Sequence, residues 1–147
     1  MKLLFIGFIL FISTECFSRE FNIYVDADFS IHKESANAIF NGLEVGLDLY
    51  KNQFLEHKFN LIKLDHRGNT RRSLKNFKRV MNDPNSLTVF GGLHSPPLIT
   101  NNKFINDNQI LTLVPWAAGG PITRSKVKEN WIYRLSVDDS QAGGFIG

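Results

Sequence analysis

The sequence predicts an α/β fold, in which a parallel sheet carries helices on both faces. Short runs rich in β-branched and aromatic residues alternate along the chain with longer segments whose apolar residues recur every three or four positions. This alternation is typical of βαβ units, because parallel strands need helical crossovers. The composition, 43% hydrophobic and 21% charged over 147 residues, is that of one ordinary globular domain.

The first half of the chain contains two predicted strand–helix pairs. Residues 21–28 begin with apolar residues and turn polar at their end, which predicts a strand. Residues 33–54 carry apolar side chains at helical spacing and predict an amphipathic helix. Residues 59–65 (FNLIKLD) predict a second strand. Residues 71–81 predict a second helix, because their apolar positions are in phase and Asp83-Pro84 follows.

The second half adds three predicted strands. Residues 87–90 (LTVF) form the first of these and end at two glycines. Ser95-Pro96-Pro97 then predicts a helix start, with the serine hydroxyl as N-cap and prolines in the first turn. Residues 110–114 and 131–137 predict the fourth and fifth strands, and 141–147 the first turns of a last helix.

The N-terminal residues 1–18 predict a secretory signal peptide. Lys2 precedes an apolar run of about ten residues, which is too short to cross a bilayer of about 30 Å as a helix. Cleavage after Ser18 fits, because Cys16 and Ser18 are small. Lipidation at Cys16 is the alternative, and it is less favoured because Glu15 directly precedes the cysteine. We therefore expect a periplasmic protein.

A cluster of basic residues interrupts an otherwise mild net charge of +3. Most of the cluster has helical spacing, so it is either a phosphate-binding face or the solvated face of an amphipathic helix. No aromatic residues are interleaved, which favours the solvated face and predicts no nucleic-acid partner. The basic residues are Arg67, Arg71, Arg72, Lys75, Lys78 and Arg79.

Signatures of enzymes and metal sites are missing from the sequence. It contains no GxGxxG, GxxxxGK[ST] or GxSxG motif, and its single cysteine excludes a Cys-based zinc site. No two histidines have i, i+4 spacing on one helix. Asp26 and Asp28 are interpreted either as a metal or phosphoryl-transfer pair or, preferably, as polar residues at a strand end. We therefore expect no catalytic residue, no cofactor and no metal.

Ligands of parallel sheets bind at the carboxyl ends of the strands, which directs attention to the loops there. Ser95 follows the third strand and offers a hydroxyl at a helix N-terminus, where the helix dipole favours a carboxylate or phosphate. The same hydroxyl would also serve as a helix cap alone, and both interpretations stay open. Trp116 follows the fourth strand, and its residue type favours packing over stacking on a ligand.

Six segments occur in order from residue 21 to the end: VDADFS, an A-x-x-I-x-x-G helix pattern, LDHRGNTRRSLKNF, FGGLHSPP, PWAAGGPIT and YRLSVDDSQAG. Together they resemble the type I periplasmic solute-binding proteins of ABC transporters, in particular the branched-chain amino acid receptors (the leucine/isoleucine/valine-binding protein family). The resemblance implies a flavodoxin-like or Rossmann-like three-layer lobe. It also implies that two lobes close over the solute without catalysis.

The resemblance further implies a domain division and a set of site residues. Residues 1–18 would be the signal peptide, 19–137 the N-terminal lobe, and 138–147 the start of the crossover into a second lobe. Full members are roughly two to three times this long, so we expect a chain truncated before that lobe. The ligand-binding positions carried over are Ser30, His32, Ser95, Trp116, Ala117 and Ala118.

The implied partners are a small solute and the permease subunits of an importer, with membrane contact only through the permease. A threonine is typical of amino acid receptors where Ala118 stands, so the expected solute is an amino-acid-like molecule or a related carboxylate. The alternatives are a single-lobe ligand sensor and a decayed, non-functional product. An enzyme on this scaffold is a third hypothesis, and it would need a catalytic constellation that the sequence does not display.

Overall fold

The structure, a computed structural model, describes residues 18–54 and 56–146. Within them, parallel strands alternate with helices, which confirms the predicted α/β class. The strands are β1 (Arg19–Ala27), β2 (His57–Asp65), β3 (Ser86–Gly91), β4 (Thr112–Val114) and β5 (Ile132–Arg134). The helices are α1 (Lys33–Tyr50), α2 (Thr70–Met81), α3 (Ser95–Asp107) and α4 (Asp139–Ile146).

The five strands form one sheet in the order β2-β1-β3-β4-β5, and every neighbouring pair is parallel. The chain leaves β1 toward β2 on one side and returns to β3 on the other side. The order of the strands therefore reverses between β1 and β3, and this reversal opens a crevice at their carboxyl ends. The loops that follow β1 and β3 flank that crevice.

Apolar side chains cover both faces of the sheet, because successive residues of a strand point in opposite directions. Tyr24 of β1 joins the core beneath α2 and α3, whereas Val25 joins the smaller core beneath α1. Phe77 of α2 is fully buried, and its burial is worth roughly 2–3 kcal/mol in transfer free energy. Helices thus lie on both faces, as the sequence predicts.

Helix α2 carries the basic cluster on its outer side. Asn69 caps the helix by accepting a hydrogen bond from the Arg72 N–H at 3.0 Å. Phe77 and Val80 of the same helix are buried against the sheet. The cationic side chains lie on the exposed face, which agrees with the solvated interpretation. They are Arg71, Arg72, Lys75, Lys78 and Arg79.

Several predicted boundaries differ from the structure. The helix predicted at 33–54 ends at Tyr50, and a short 3₁₀ turn follows it at Lys51–Gln53. The strands predicted at 110–114 and 131–137 shorten to three residues each, because β4 and β5 pair over only three positions.

The last helix, in turn, begins earlier than predicted. It starts at Asp139 rather than residue 141, because the Asp138 carboxylate accepts the Ser140 N–H at 2.8 Å and fixes the first turn.

Residues 1–17 of the predicted signal peptide lie outside the described residues, and the alternative lipidation site at Cys16 is among them. Among the helices of residues 18–54 and 56–146, none combines the length and the apolar character needed to cross a membrane.

Candidate ligand-binding site

The ends of β1 and β3 lie unusually close together. The Gly92 N–H donates to the Asp26 carbonyl at 3.1 Å. A Cβ at Gly92 would stand 2.8 Å from the Ala27 Cβ, which is closer than side chains tolerate. Glycine is therefore required here. This approach places His94 and Ser95, which follow directly, beside the loop that leaves β1.

Ser95 connects the loops that follow β3 and β4. Helix α3 begins at Ser95, so the N-cap is His94, and the predicted N-cap role of Ser95 is wrong by one residue. The Ser95 Oγ instead accepts the Gly119 N–H at 3.1 Å. A hydroxyl carries one donor and two acceptor positions, so this bond leaves its proton for another acceptor. Gly119 must lack a side chain, because a Cβ there would stand 2.9 Å from the Ser95 Oγ.

Two prolines alter the expected helix-terminus site. The first four N–H groups of a helix lack partners inside it, but Pro96 and Pro97 occupy two of those positions in α3 and carry no N–H. The amide donors left at this end belong to His94 and Ser95. This helix end therefore offers fewer backbone donors than the sequence predicts, and the Ser95 hydroxyl is a larger share of those that remain.

Residues that follow β5 hold the loop after β4 in place. The Ala117 side chain is buried, and its carbonyl accepts the Ser136 hydroxyl at 3.3 Å. The Ala118 carbonyl accepts the Asp139 N–H at 3.0 Å. Trp116, in contrast, is 46% exposed, so the interpretation that favours interior packing of its indole is wrong. The backbone of this loop is fixed, and its indole lies at the surface.

Arg134 is the main anchor of that loop. Its side chain is 8% exposed, and its Nη1 donates to the carbonyls of Ala118 and Gly119 at 3.1 and 2.9 Å. Its Nη2 donates to the Asp138 carboxylate, which also pairs with the more exposed Arg124. Burial raises the pKa of Asp138, but the hydrogen bonds from Ser140 and Arg134 outweigh burial and hold the pKa below its usual value.

The loop after β1 is organised by Asp28, whose side chain is 1% exposed. Its Oδ1 accepts the N–H groups of Ser30 and Ile31 at 3.2 and 2.8 Å. Its Oδ2 lies 3.1 Å from the His32 Nδ1. Burial raises the pKa of Asp28, but the hydrogen bonds from Ile31, His32 and Ser30 lower it to about 2. The carboxylate is therefore charged and rigidly placed.

Ser30 contacts the loop that follows β2. Its hydroxyl donates to the Asp65 Oδ2 at 2.5 Å, at the end of β2. Asp65 also accepts the Phe29 N–H at 3.0 Å and the Arg67 N–H at 3.1 Å. Ser30 thus joins the β1 and β2 loops, and its hydroxyl proton is engaged by Asp65.

Three histidines converge at the crevice. The rings of His32 and His94 lie 4.7 Å apart, and His66 lies 5.8 Å from His94, both edge to face. Burial, together with the positive charge His94 can carry, lowers the pKa of His66 to about 4. Its Nδ1 accepts the Gly68 N–H at 3.0 Å, so the proton of the neutral ring is on Nε2.

Asp26 and Asp28 do not form a pair, because their carboxylates bond to different parts of the chain, Asp26 to helix α2 and Asp28 to the loop that follows β1. Asp26 lies beneath α2 and accepts bonds from Ser73 and Asn76, both at 2.6 Å. Burial raises its pKa to about 7 in spite of these two bonds. Asp26 is thus a buried structural group, and Asp28 alone faces the crevice.

The predicted site residues thus fall into two groups. Ser95 lies with the 116–119 loop, and His32 lies with Asp28 and His94. His32 of the second group also lines an open groove of about 360 Å³ between Leu93 and residues 31–35. Sequence reasoning missed His94 and Asp28 as members of a common cluster, because they follow different strands and share no motif. Only the strand order indicates their proximity.

Comparisons with known proteins place the fold. No family model and no curated protein matches the chain. A leucine-binding protein from Thermotoga maritima aligns with a TM-score of 0.73 at 15% identity, over 86% of this chain and 35% of that one. The fold is that of a type I periplasmic binding protein lobe.

Other solved structures agree on this lobe. An ABC transporter substrate-binding protein from Desulfitobacterium hafniense, in complex with leucine, gives a TM-score of 0.74 at 17% identity over 86% of this chain and 37% of that one. A solute-binding protein from Rhodopseudomonas palustris, in complex with 4-hydroxybenzoate, gives a TM-score of 0.70 at 16% identity, over 81% of this chain and 32% of that one. The chain spans about a third of the length of these structures.

Proposed function

We propose that this chain belongs to the exported solute-binding component of an ABC importer, and that its strand-end loops form one side of a site for a small carboxylate. The observation that carries the proposal is the Ser95 hydroxyl. It is oriented by the Gly119 N–H and stands at a helix N-terminus in a lobe of the periplasmic binding protein type. Residues 19–137 would be that lobe, 138–147 the start of a crossover, and 1–18 a signal for periplasmic export.

Binding in such a site needs no chemistry beyond hydrogen bonding and burial. The Ser95 hydroxyl would donate its proton to a solute carboxylate, while its lone pair keeps the Gly119 N–H. The dipole of α3 favours the negative charge at this end. The backbone at Ala117 and Ala118 would complete the half-site, with Ser30 and His32 on the other side of the crevice. The exposed indole of Trp116 offers a flat face to an amino-acid-like or aromatic solute.

Closure of a second lobe over this surface would present the bound state to a permease. One lobe supplies only part of the contacts, so the chain by itself is expected to bind in the millimolar range, near −4 kcal/mol. An NMR titration of amide and indole signals suits such weak binding. L-Leucine and 4-hydroxybenzoate serve as probes, because the two solutes differ in shape and share a carboxylate.

The titration should shift the amide signals of Ser95 and Gly119 and the indole signal of Trp116. Ser95→Ala should abolish the shifts, and Thr100→Ala, which removes an exposed hydroxyl farther along α3, should retain them. Equal shifts in wild type and Ser95→Ala would overturn the proposal. So would shifts confined to residues 121–129, which line a separate cavity beside α3, or no shift with either probe.

A further inference from the structure

We propose that Asp28, His32 and His94 form a binding site for a divalent transition-metal ion of the zinc type, at the crevice between β1 and β3. One ligand atom from each residue lies within 4.8 Å of the other two. Two imidazoles and one carboxylate are the donor set that zinc, cobalt and nickel prefer, whereas magnesium and calcium prefer oxygen alone. His32 is shared with the proposed solute site, but the observations that carry this inference do not depend on solute binding.

The distances fit a coordination sphere. Zinc binds imidazole nitrogen and carboxylate oxygen at about 2.0–2.2 Å, so two ligands of a tetrahedral ion are about 3.4 Å apart. The Asp28 Oδ2 and the His32 Nδ1 are already 3.1 Å apart. A rotation of the His94 ring is the remaining adjustment. His32 is half exposed, which provides both the freedom to adjust and an entry path for the ion.

The carboxylate is prepared for this role by its neighbours. Both N–H bonds from Ser30 and Ile31 go to its Oδ1, which orients the group and leaves Oδ2 directed at His32. Hydrogen bonds of this kind to the second oxygen are the usual outer support of a metal-binding carboxylate. Gly68, with a φ of +65°, brings its backbone close to this carboxylate, and a Cβ there would be in ordinary contact with the Asp28 Oδ2 at 3.6 Å.

His94 supplies the independent observation. Its Nδ1 is buried and has no hydrogen-bond partner in the part of the chain that the structure describes. A buried polar atom without a partner is costly and calls for an explanation. An ion coordinated by this nitrogen would supply the missing partner directly. His66, packed against the edge of His94, limits the orientations of that ring.

The three ligands come from two loops and leave at least one position of a four-coordinate ion open. Three protein ligands with a free position are the arrangement of zinc sites that bind an exchangeable molecule. His32 also lines the groove along residues 31–35 and Leu93, which offers a path from solvent to the site. Water or a small anion would occupy the open position.

The test is calorimetry of the purified chain, without a histidine tag, against zinc chloride alone. The expected result is one saturable site. His32→Ala should weaken it by at least about 100-fold, since second-shell changes alone cost up to about that much. His57→Ala is the matched control, because His57 is exposed and lies outside the cluster, and it should retain the wild-type affinity. Asp28→Asn, which keeps an acceptor for the Ile31 N–H, should also lose zinc.

Cobalt(II) provides a readout that does not depend on affinity. It should produce a visible ligand-field band and broaden the imidazole signals of His32 and His94 while sparing His57. The proposal is overturned if wild type shows no saturable site, if His57→Ala loses as much affinity as His32→Ala, or if magnesium competes equally. Zinc binding without any response to L-leucine or 4-hydroxybenzoate would support the metal site and count against the proposed solute site alone.

Discussion

Arg134→Ala should destabilise the protein far more than Arg124→Ala, although both arginines pair with the same oxygen of Asp138. The Arg134 side chain is 8% exposed and the Arg124 side chain 54%. Arg134 also donates to the carbonyls of Ala118 and Gly119, which would lose a partner. Hydrogen bonds from a charged donor contribute about 1.5–3 kcal/mol each and are not additive, so we expect a loss of about 3 kcal/mol.

Arg124, the exposed partner of Asp138, gives the reference value for the change in stability. An exposed ion pair is worth about 0–1 kcal/mol, so Arg124→Ala should change the free energy of unfolding by no more than that. Arg134→Lys should fall between the two, because lysine keeps the charge but loses the planar fork that reaches both carbonyls.

Urea unfolding followed by tryptophan fluorescence measures all three variants. With a slope of about 2 kcal/mol/M, a loss of 3 kcal/mol lowers the urea midpoint by about 1.5 M. The Arg134→Ala variant should also lose the solute-induced shift at Gly119, since the loop has lost its anchor. Equal midpoints for Arg134→Ala and Arg124→Ala would refute the assignment of Arg134 as the anchor of this loop.

Two further predictions concern stability. Gly92→Ala should lower the free energy of unfolding by about 1–3 kcal/mol, because its Cβ would meet the Ala27 Cβ at 2.8 Å. The control, Gly42→Ala, lies in open space on α1 and should raise the free energy of unfolding by up to about 1 kcal/mol. Thermal unfolding compares the two variants, and equal effects would contradict the close approach at Gly92. Asp83→Asn should cost about 1 kcal/mol at pH 7, because Asn22 and Tyr24 donate to this carboxylate at 2.7 Å. Burial raises the pKa of Asp83, but those bonds outweigh it and hold the pKa below its usual value. The contribution of Asp83 is therefore present above the unfolded-state pKa of about 3.9 and is lost as the pH falls through the folded-state pKa. A wild-type-to-variant difference that stays constant from pH 7 to pH 2 would exclude this role.

Periodicity predicts most of the fold, because it depends on local properties. The apolar alternation in β1 and the helical spacing in α2 place Val25 and Phe77 in the core, where the structure has them. The ends of elements are less accessible to such reasoning. The hydroxyl of Ser95 follows a common capping pattern, but its bond to Gly119 depends on a loop that lies 24 residues away.

The strand ends could be predicted from the sequence, but the side chains that meet there could not. A parallel sheet directs attention to the strand ends, and the structure places Ser95 and the 116–118 loop there. The convergence of Asp28 with His94 depends on β1 and β3 being neighbours, which no spacing in the chain reveals. Trp116 is a residue whose type led to a wrong prediction of its burial. Its size favours the interior on average, but burial of Ala117 beside it turns the indole outward.

The proline pair in the first turn of α3 bears on which anions the crevice admits. A phosphate carries a charge near −2 and three strong acceptor oxygens at neutral pH, so a tight site must replace many water contacts with donors. Pro96 and Pro97 take two amides away from that end of the helix. A monoanionic carboxylate, with two oxygens to satisfy, fits the donors that remain. In the proposed solute site, discrimination against phosphoesters would therefore rest on the backbone, where side-chain changes elsewhere in the site would not affect it.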